Sequence, residues 1–183
     1  EVRIYSDDDF ANLAGTVPRL GFESEHLTYA GFEKYRSLAG DILKPLIDIV
    51  EELRMVKDEE ELQRIKRAVA IGDQVFEDVL PLIKPGVQER EIAIQIENFL
   101  KQRGCERAAF DTIVVSGKRS SLPHGRPSEK LLDVGELTTL DFGGIYKGYA
   151  GDMTRTVAVV KACSRSRGIY MRVLEAQMAA VEA

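Results

Sequence analysis

An α+β fold is predicted by three observations. Two stretches of three-four apolar spacing fill the middle of the chain, a cluster of Thr- and Val-rich strand patterns follows, and a helical pattern closes it. The order helices, strand, loop, hairpin, helix is not the regular alternation that builds a parallel α/β sheet.

Residues 1 to about 50 are short, mixed elements. PRLGFE, around Leu20 to Phe22, reads as a short buried strand. HLTYAGFEKYRSL reads as a helix with Leu27, Phe32, Tyr35 and Leu38 turned inward, and PLIDIVEELRMVK as a connector. From Asp58 the pattern sharpens. Leu62, Ile65, Val69, Gly72, Phe76, Val79 and Ile83 recur at helical spacing and predict one amphipathic helix. Asp58, with Glu61 three residues later, makes a capping-box start, and Pro85–Gly86 a stop. A second helix runs from about Glu89 to Arg103, with Ile92, Ile96 and Phe99 inward and Gly104 as its breaker.

DTIVVSG is then a strand, and KRSSLPHGRPSEK a loop. LTTLDF and MTRTVAVV are strands around a turn at Tyr146–Gly148. The last helix, SRSRGIYMRVLEAQMAAVEA, carries Tyr170, Leu174, Met178 and Val181 on one stripe.

Asp141 and Asp152 lie eleven residues apart across that hairpin. A turn at Tyr146–Lys147 sets them directly opposite one another, and a turn at Lys147–Gly148 sets them diagonally. Side chains alternate faces with period two, so either register puts both carboxylates on one face, whereas a three-residue turn without a bulge would separate them. Like charges so placed destabilise a sheet, and a bound cation offsets the repulsion. The competing reading is of solvated aspartates, or of ion pairs with Arg155 or Lys147. Gly143, Gly144, Gly148 and Gly151 crowd the hairpin, as where a ligand or another backbone comes close. His124 stands on a loop between Pro123 and Gly125, with Pro127 beyond, a shaped setting of the kind that carries active-site groups. His26 reads as structural or solvated.

Composition narrows the classes. A chain of 183 residues fits one domain, or one domain plus part of another, and 44% hydrophobic with 30% charged residues is an ordinary globular mix. A net charge of −5 without a basic stripe argues against nucleic acid as a partner. No apolar run approaches the ~20 residues that span a bilayer, so no membrane partner is expected. Cys105 and Cys163 have no CxxC spacing, which suits reduced thiols and a cytoplasmic protein. The chain opens on Glu1 rather than Met and closes inside a helical pattern, so it reads as part of a longer protein.

Taken together, LPHGRP, then LDFGG, then YAGDMTRT resemble the pita-bread (creatinase/aminopeptidase-like) metallopeptidases. His124 precedes Asp141 by seventeen residues. LRMVKDEEELQRIKRA is similar to the segment that opens the catalytic domain in the Xaa-Pro branch, aminopeptidase P and prolidase. LGFE with its following helix is similar to the end of that branch's smaller N-terminal α/β domain. The resemblance implies an N-terminal-domain remnant and linker over 1–53 and the first half of a pita-bread catalytic domain over 54–183.

The same resemblance implies residue roles. Asp141 ligates one of two divalent metals and Asp152 bridges both. His124 lies by the substrate amide and stabilises the tetrahedral intermediate. Thr154 and Arg155 support the carboxylates from behind, and Phe110 forms an apolar wall of the substrate pocket. The metals, Mn²⁺ foremost with Co²⁺ or Zn²⁺ able to substitute, activate a water for hydrolysis of Xaa-Pro bonds, so the partner is a peptide with proline at its second position. The family's remaining ligands, one His and two Glu, belong to a second half that follows the point where this chain stops. The isolated chain is therefore expected to have little or no activity, and, with half a shared sheet, to dimerise or self-associate. The alternatives are a catalytically inactive pita-bread module that binds peptides, and, from DFG, a kinase. No Gly-rich phosphate loop or HRD motif supports the kinase.

Overall fold

The computed structural model describes residues 6–183, which divide into two compact units, one ending at Lys57 and the other beginning at Asp58. In the first, helix α1 (Asp7–Ala14) starts from a capping box between Ser6 and Asp9. Strand β1 (Leu20–Glu23), helix α2 (Tyr29–Ala39) and strand β2 (Leu43–Leu46) form a β-α-β unit, with β1 and β2 parallel and Leu20 opposite Leu43. Helix α3 (Ile49–Met55) follows. The predicted connector therefore holds a strand and a helix. Its strand exists by pairing with a segment about twenty residues earlier, which no local pattern encodes. The predicted buried strand is half-buried, with Leu20 and Phe22 turned in and Gly21 and Glu23 exposed. Phe22 packs on Phe32, ring centroids 5.2 Å apart, and Phe10 on Tyr35 at 4.7 Å.

The second unit opens with helix α4 (Glu59–Val79), and the Asp58–Glu61 capping box forms as expected. The helix ends at Val79, ahead of the predicted stop, and a 3-10 turn over Leu80–Leu82 replaces its last turn. Pro81 explains the early end, since it has no N–H to continue the helical ladder. The buried face keeps Gly72 and Val79 of the predicted stripe but differs elsewhere. Ala68, Ile71, Gly72, Val75 and Val79 are buried, whereas Leu62 is 39% and Val69 46% exposed. Small residues won those places because the hairpin presses on this helix. A Cβ at Gly151 would stand 3.0 Å from the Ala68 carbonyl carbon, and one at Gly72 would stand 2.9 Å from Met153 Sδ.

Helix α5 (Glu89–Gln102) buries Ile92, Ala93, Ile96 and Leu100 and ends at Gly104, whose φ is +98°. Strands β3 (Arg107–Ala108), β4 (Ile113–Ser116), β5 (Leu137–Phe142), β6 (Gly144–Tyr146), β7 (Tyr149–Ala150) and β8 (Met153–Ala158) make two antiparallel three-stranded sheets, ordered β4-β5-β8 and β3-β6-β7. Thr138, Leu140 and Phe142 of β5 face the core of α4 and α5. Leu137, Thr139 and Asp141 take the other, half-buried face.

Helix α6 (Ser164–Glu182) closes the chain with no buried residue. Its predicted stripe is largely in solvent: Leu174 is half-buried, while Tyr170, Met178 and Val181 are exposed. Tyr170 and Leu174 share a cavity with Leu137, Thr139 and Thr156 on the open face of the sheet, while Met178 and Val181 lie exposed beyond it. Among the described residues, no helix is long and apolar enough to cross a membrane.

Candidate metal centre

The hairpin sets the site. Lys147 and Gly148 both have positive φ, 48° and 80°, as a type I′ turn requires. Tyr146 then pairs with Tyr149 and Ile145 with Ala150, and the same register continues into Phe142 with Met153 and Asp141 with Thr154. Of the turns open to the sequence, the two-residue turn at Lys147–Gly148 is the one adopted. Asp141 and Asp152 are diagonal neighbours on one face, a spacing of roughly 7–8 Å between Cα atoms that two carboxylates can span. Gly143, beside them, is confined by packing. A Cβ there would overlap the Gly151 carbonyl and stand 3.1 Å from the Asp152 Cα.

An open cleft of about 790 Å³ gathers Asp141, Asp152, His124 and Phe110. His124 is exposed at its edge, and the next residue, Gly125, is buried where a Cβ would meet Val115 Cγ1 at 2.7 Å. That glycine lets the loop lie against β4. Phe110 is half-buried in the cleft wall.

The electrostatics identify what the carboxylates lack. Burial pushes the Asp141 carboxyl above its ordinary value. The Thr154 hydrogen bond counters this, the Asp152 charge adds to it, and the nearby His124 offsets part. The Thr154 hydroxyl donates to Asp141 Oδ1 at 3.1 Å. Among the described residues neither aspartate is paired with Lys or Arg. Lys147 lies over the Tyr146 ring, and Arg155 donates to Asp73 at 3.3 Å, so the ion pairs of the competing reading do not form. Two oxygen donors on one face, short of compensating positive charge, are a donor set that suits a divalent cation.

Thr154 is thus brought to the carboxylates and Arg155 is not. Strand alternation sets Arg155 opposite Leu140, on the face that meets α4, where its guanidinium lies 5.8 Å from the centre of the Phe76 ring. Arg155 touches neither carboxylate and reaches the pair only through Thr154, whose carbonyl accepts from the Arg155 guanidinium at 3.0 Å. Sequence reasoning also missed Arg126 and Asp111, an exposed ion pair at 3.6 Å lining the same cleft. Their positions next to His124 and Phe110 were the available signal. In the first unit, His26 Nε2 lies 3.6 Å from Glu51 Oε1, and with Glu23 these residues keep their donor atoms within 4.8 Å of one another on an exposed surface.

The model of metallopeptidase family M24 matches residues 63–183. The Xaa-Pro dipeptidase of Pyrococcus furiosus is 37% identical over all 183 residues, which cover 52% of that protein. The uncharacterized peptidase YqhT of Bacillus subtilis is 43% identical over 162 residues, 88% of this chain and 46% of its own length. Among solved structures, an Xaa-Pro dipeptidase from Bacillus anthracis superposes with a TM-score of 0.87 at 40% identity, over 93% of this chain and 49% of the other. An X-Pro aminopeptidase from Thermotoga maritima gives 0.88 at 35% identity, over 96% and 51%. The chain spans about half the length of these relatives. By sequence and by its α+β pita-bread fold, of which it carries about half, this chain belongs to metallopeptidase family M24.

Proposed function

We propose that this chain is part of a metallopeptidase that hydrolyses Xaa-Pro bonds, with Asp141 and Asp152 as metal ligands and His124 as the catalytic residue. The observation that carries the reading is the meeting of these three side chains in one cleft, with Asp141 held above its ordinary pKa. The Asp141 carboxylate, oriented by Thr154, and the Asp152 carboxylate would hold the divalent ions. Mn²⁺ is the preferred occupant, with Co²⁺ and Zn²⁺ as substitutes. When bound, such ions would lower the pKa of a nearby water and polarise the scissile carbonyl. His124 donates a hydrogen bond toward the carbonyl oxygen as negative charge develops there. Phe110 offers the apolar wall for a proline ring, whose tertiary amide has no N–H for a general peptidase to grip. Two carboxylates are an incomplete ligand set, so metal is held weakly and the isolated chain has little or no activity. The free thiols Cys105 and Cys163 support a cytoplasmic setting. The exposed apolar residues of α6 support homodimerisation or self-association.

Calorimetric titration with Mn²⁺ tests the ligands. Weak binding by the chain, abolished by Asp152→Asn, is expected, and unchanged binding by that variant overturns the assignment. Fusing the chain to the second half of the P. furiosus relative tests the chemistry: Mn²⁺-dependent cleavage of an Ala-Pro dipeptide should appear in the fusion and not in the chain alone. Size-exclusion chromatography should find dimers or larger species, and a stable monomer counts against self-association.

A further inference from the structure

Glu89, the first residue of α5, is fully buried (0% exposed), and neither the metal ligands nor His124 explain it. Taking a carboxylate out of water is costly unless donors replace the lost hydration. Five do. Oε1 accepts from the Ser116 amide at 2.8 Å and the Ser116 hydroxyl at 3.0 Å. Oε2 accepts from Arg119 Nε at 3.1 Å, the Ser128 amide at 3.2 Å and the Ser128 hydroxyl at 2.7 Å. Burial acts to raise the Glu89 pKa, but the Ser128 and Ser116 hydrogen bonds and the Arg119 charge outweigh it and leave the carboxyl below the ordinary glutamate value.

The placement of those donors is telling. Ser116 ends β4, where the loop begins, and Ser128 stands where the loop returns. Arg119 lies in the 3-10 turn Gly117–Ser121, and its other arm donates to the Arg126 carbonyl at 2.6 Å. One carboxylate therefore grips both ends of the loop, and through Arg119 also the residue two beyond His124. Lys130 extends the network, donating to Ser116 Oγ at 2.9 Å and to Glu136 at 2.6 Å. His124 itself is exposed, so its position is inherited from the loop's anchors.

We infer that Glu89 is a positioning residue: it clamps the 117–128 loop so that His124 is presented to the face bearing Asp141 and Asp152. The inference rests on the reading of that cleft as a metal-dependent active site.

The test uses the chain's two histidines, His26 and His124, as NMR reporters. Imidazole spectra are recorded with and without sub-stoichiometric Mn²⁺, whose unpaired electrons broaden nearby signals. Amide hydrogen exchange is followed over residues 117–128. Glu89→Gln keeps the shape and removes the charge. Ser128→Ala leaves the carboxylate in place and removes one hydroxyl donor at the loop's return. In both variants the loop amides should exchange roughly tenfold or more faster, the scale of a lost charge-assisted hydrogen bond. The Mn²⁺ broadening of His124 should fall, while His26 and the amides of α4 and α5 stay as in the parent chain. Should Glu89→Gln fail to fold, Ser128→Ala carries the same readouts. A folded variant whose loop exchange and His124 broadening match the parent overturns the inference alone. Mn²⁺ that leaves His124 sharp in the parent chain overturns the metal reading of the cleft, and the positioning role with it.

Discussion

The first turn of α5 and the end of β5 each take a carboxylate partly or wholly out of water, and they treat it in opposite ways. Glu89 is surrounded by donors from Ser116, Arg119 and Ser128, and its pKa is depressed. Asp141 receives one hydroxyl hydrogen bond, faces a second carboxylate, and its pKa is raised. A saturated buried charge is a structural joint. An under-compensated one is costly to ionise, which is the property the proposed metal-ligand role of Asp141 would use.

The strongest way to break the comparison is to empty the saturated site. Glu89→Ala leaves an arginine and two serines without their acceptor and should cost about 3–5 kcal/mol, measured as a lower urea midpoint. A loss under about 1 kcal/mol would mean the clamp contributes little.

Acidity probes the same joint next. Because the Glu89 pKa is lower in the folded chain than its ordinary 4.5, its stabilising contribution is present above that value and is lost as pH falls through the folded-state value. The stability difference between the parent chain and Glu89→Gln should therefore hold steady above about pH 5.5 and shrink steadily below it. A difference independent of pH would refute the assignment.

At the other site the sign reverses. The raised Asp141 pKa means that its ionised form is disfavoured by folding, and stability recovers as pH falls through the folded value. Asp141→Asn should accordingly stabilise the metal-free chain by about 0.5–1 kcal/mol and remove any Mn²⁺-dependent rise in Tm. Destabilisation in the absence of metal would mean the two carboxylates are compensated after all. The smallest effect is expected from Thr154→Val. Losing its single hydrogen bond should cost about 0.5–1 kcal/mol and lift the Asp141 pKa further, readable by carboxyl-carbon NMR titration.

Much of this site is legible in the residues. The period-two alternation of LTTLDF puts Asp141 on the face away from Leu140 and Phe142, and a two-residue turn fixes the parity that joins it to Asp152. The rule that separates those faces also removes Arg155 from the cleft, yet its partners, Asp73 and Phe76 on α4, lie about eighty residues away in sequence and are beyond any local pattern. Glu89 was hidden for the same reason. In sequence it is an acidic residue in the first turn of a helix, ordinarily solvated there, and its burial follows from Ser116, Arg119 and Ser128 closing over it.

By itself the sequence determined what short-range geometry controls: the Asp58 cap of α4, the extent of α5 between Glu89 and Gly104, the hairpin, and the shared face of its two aspartates. Tertiary structure alone decided the pairing of β1 with β2 and the use of Ala68, Ile71 and Val75 rather than Leu62 and Val69 in the buried stripe of α4. Spacing specifies which residues share a face, while which face is buried, and what meets it, depends on partners far along the chain whose shape and charge no local window contains.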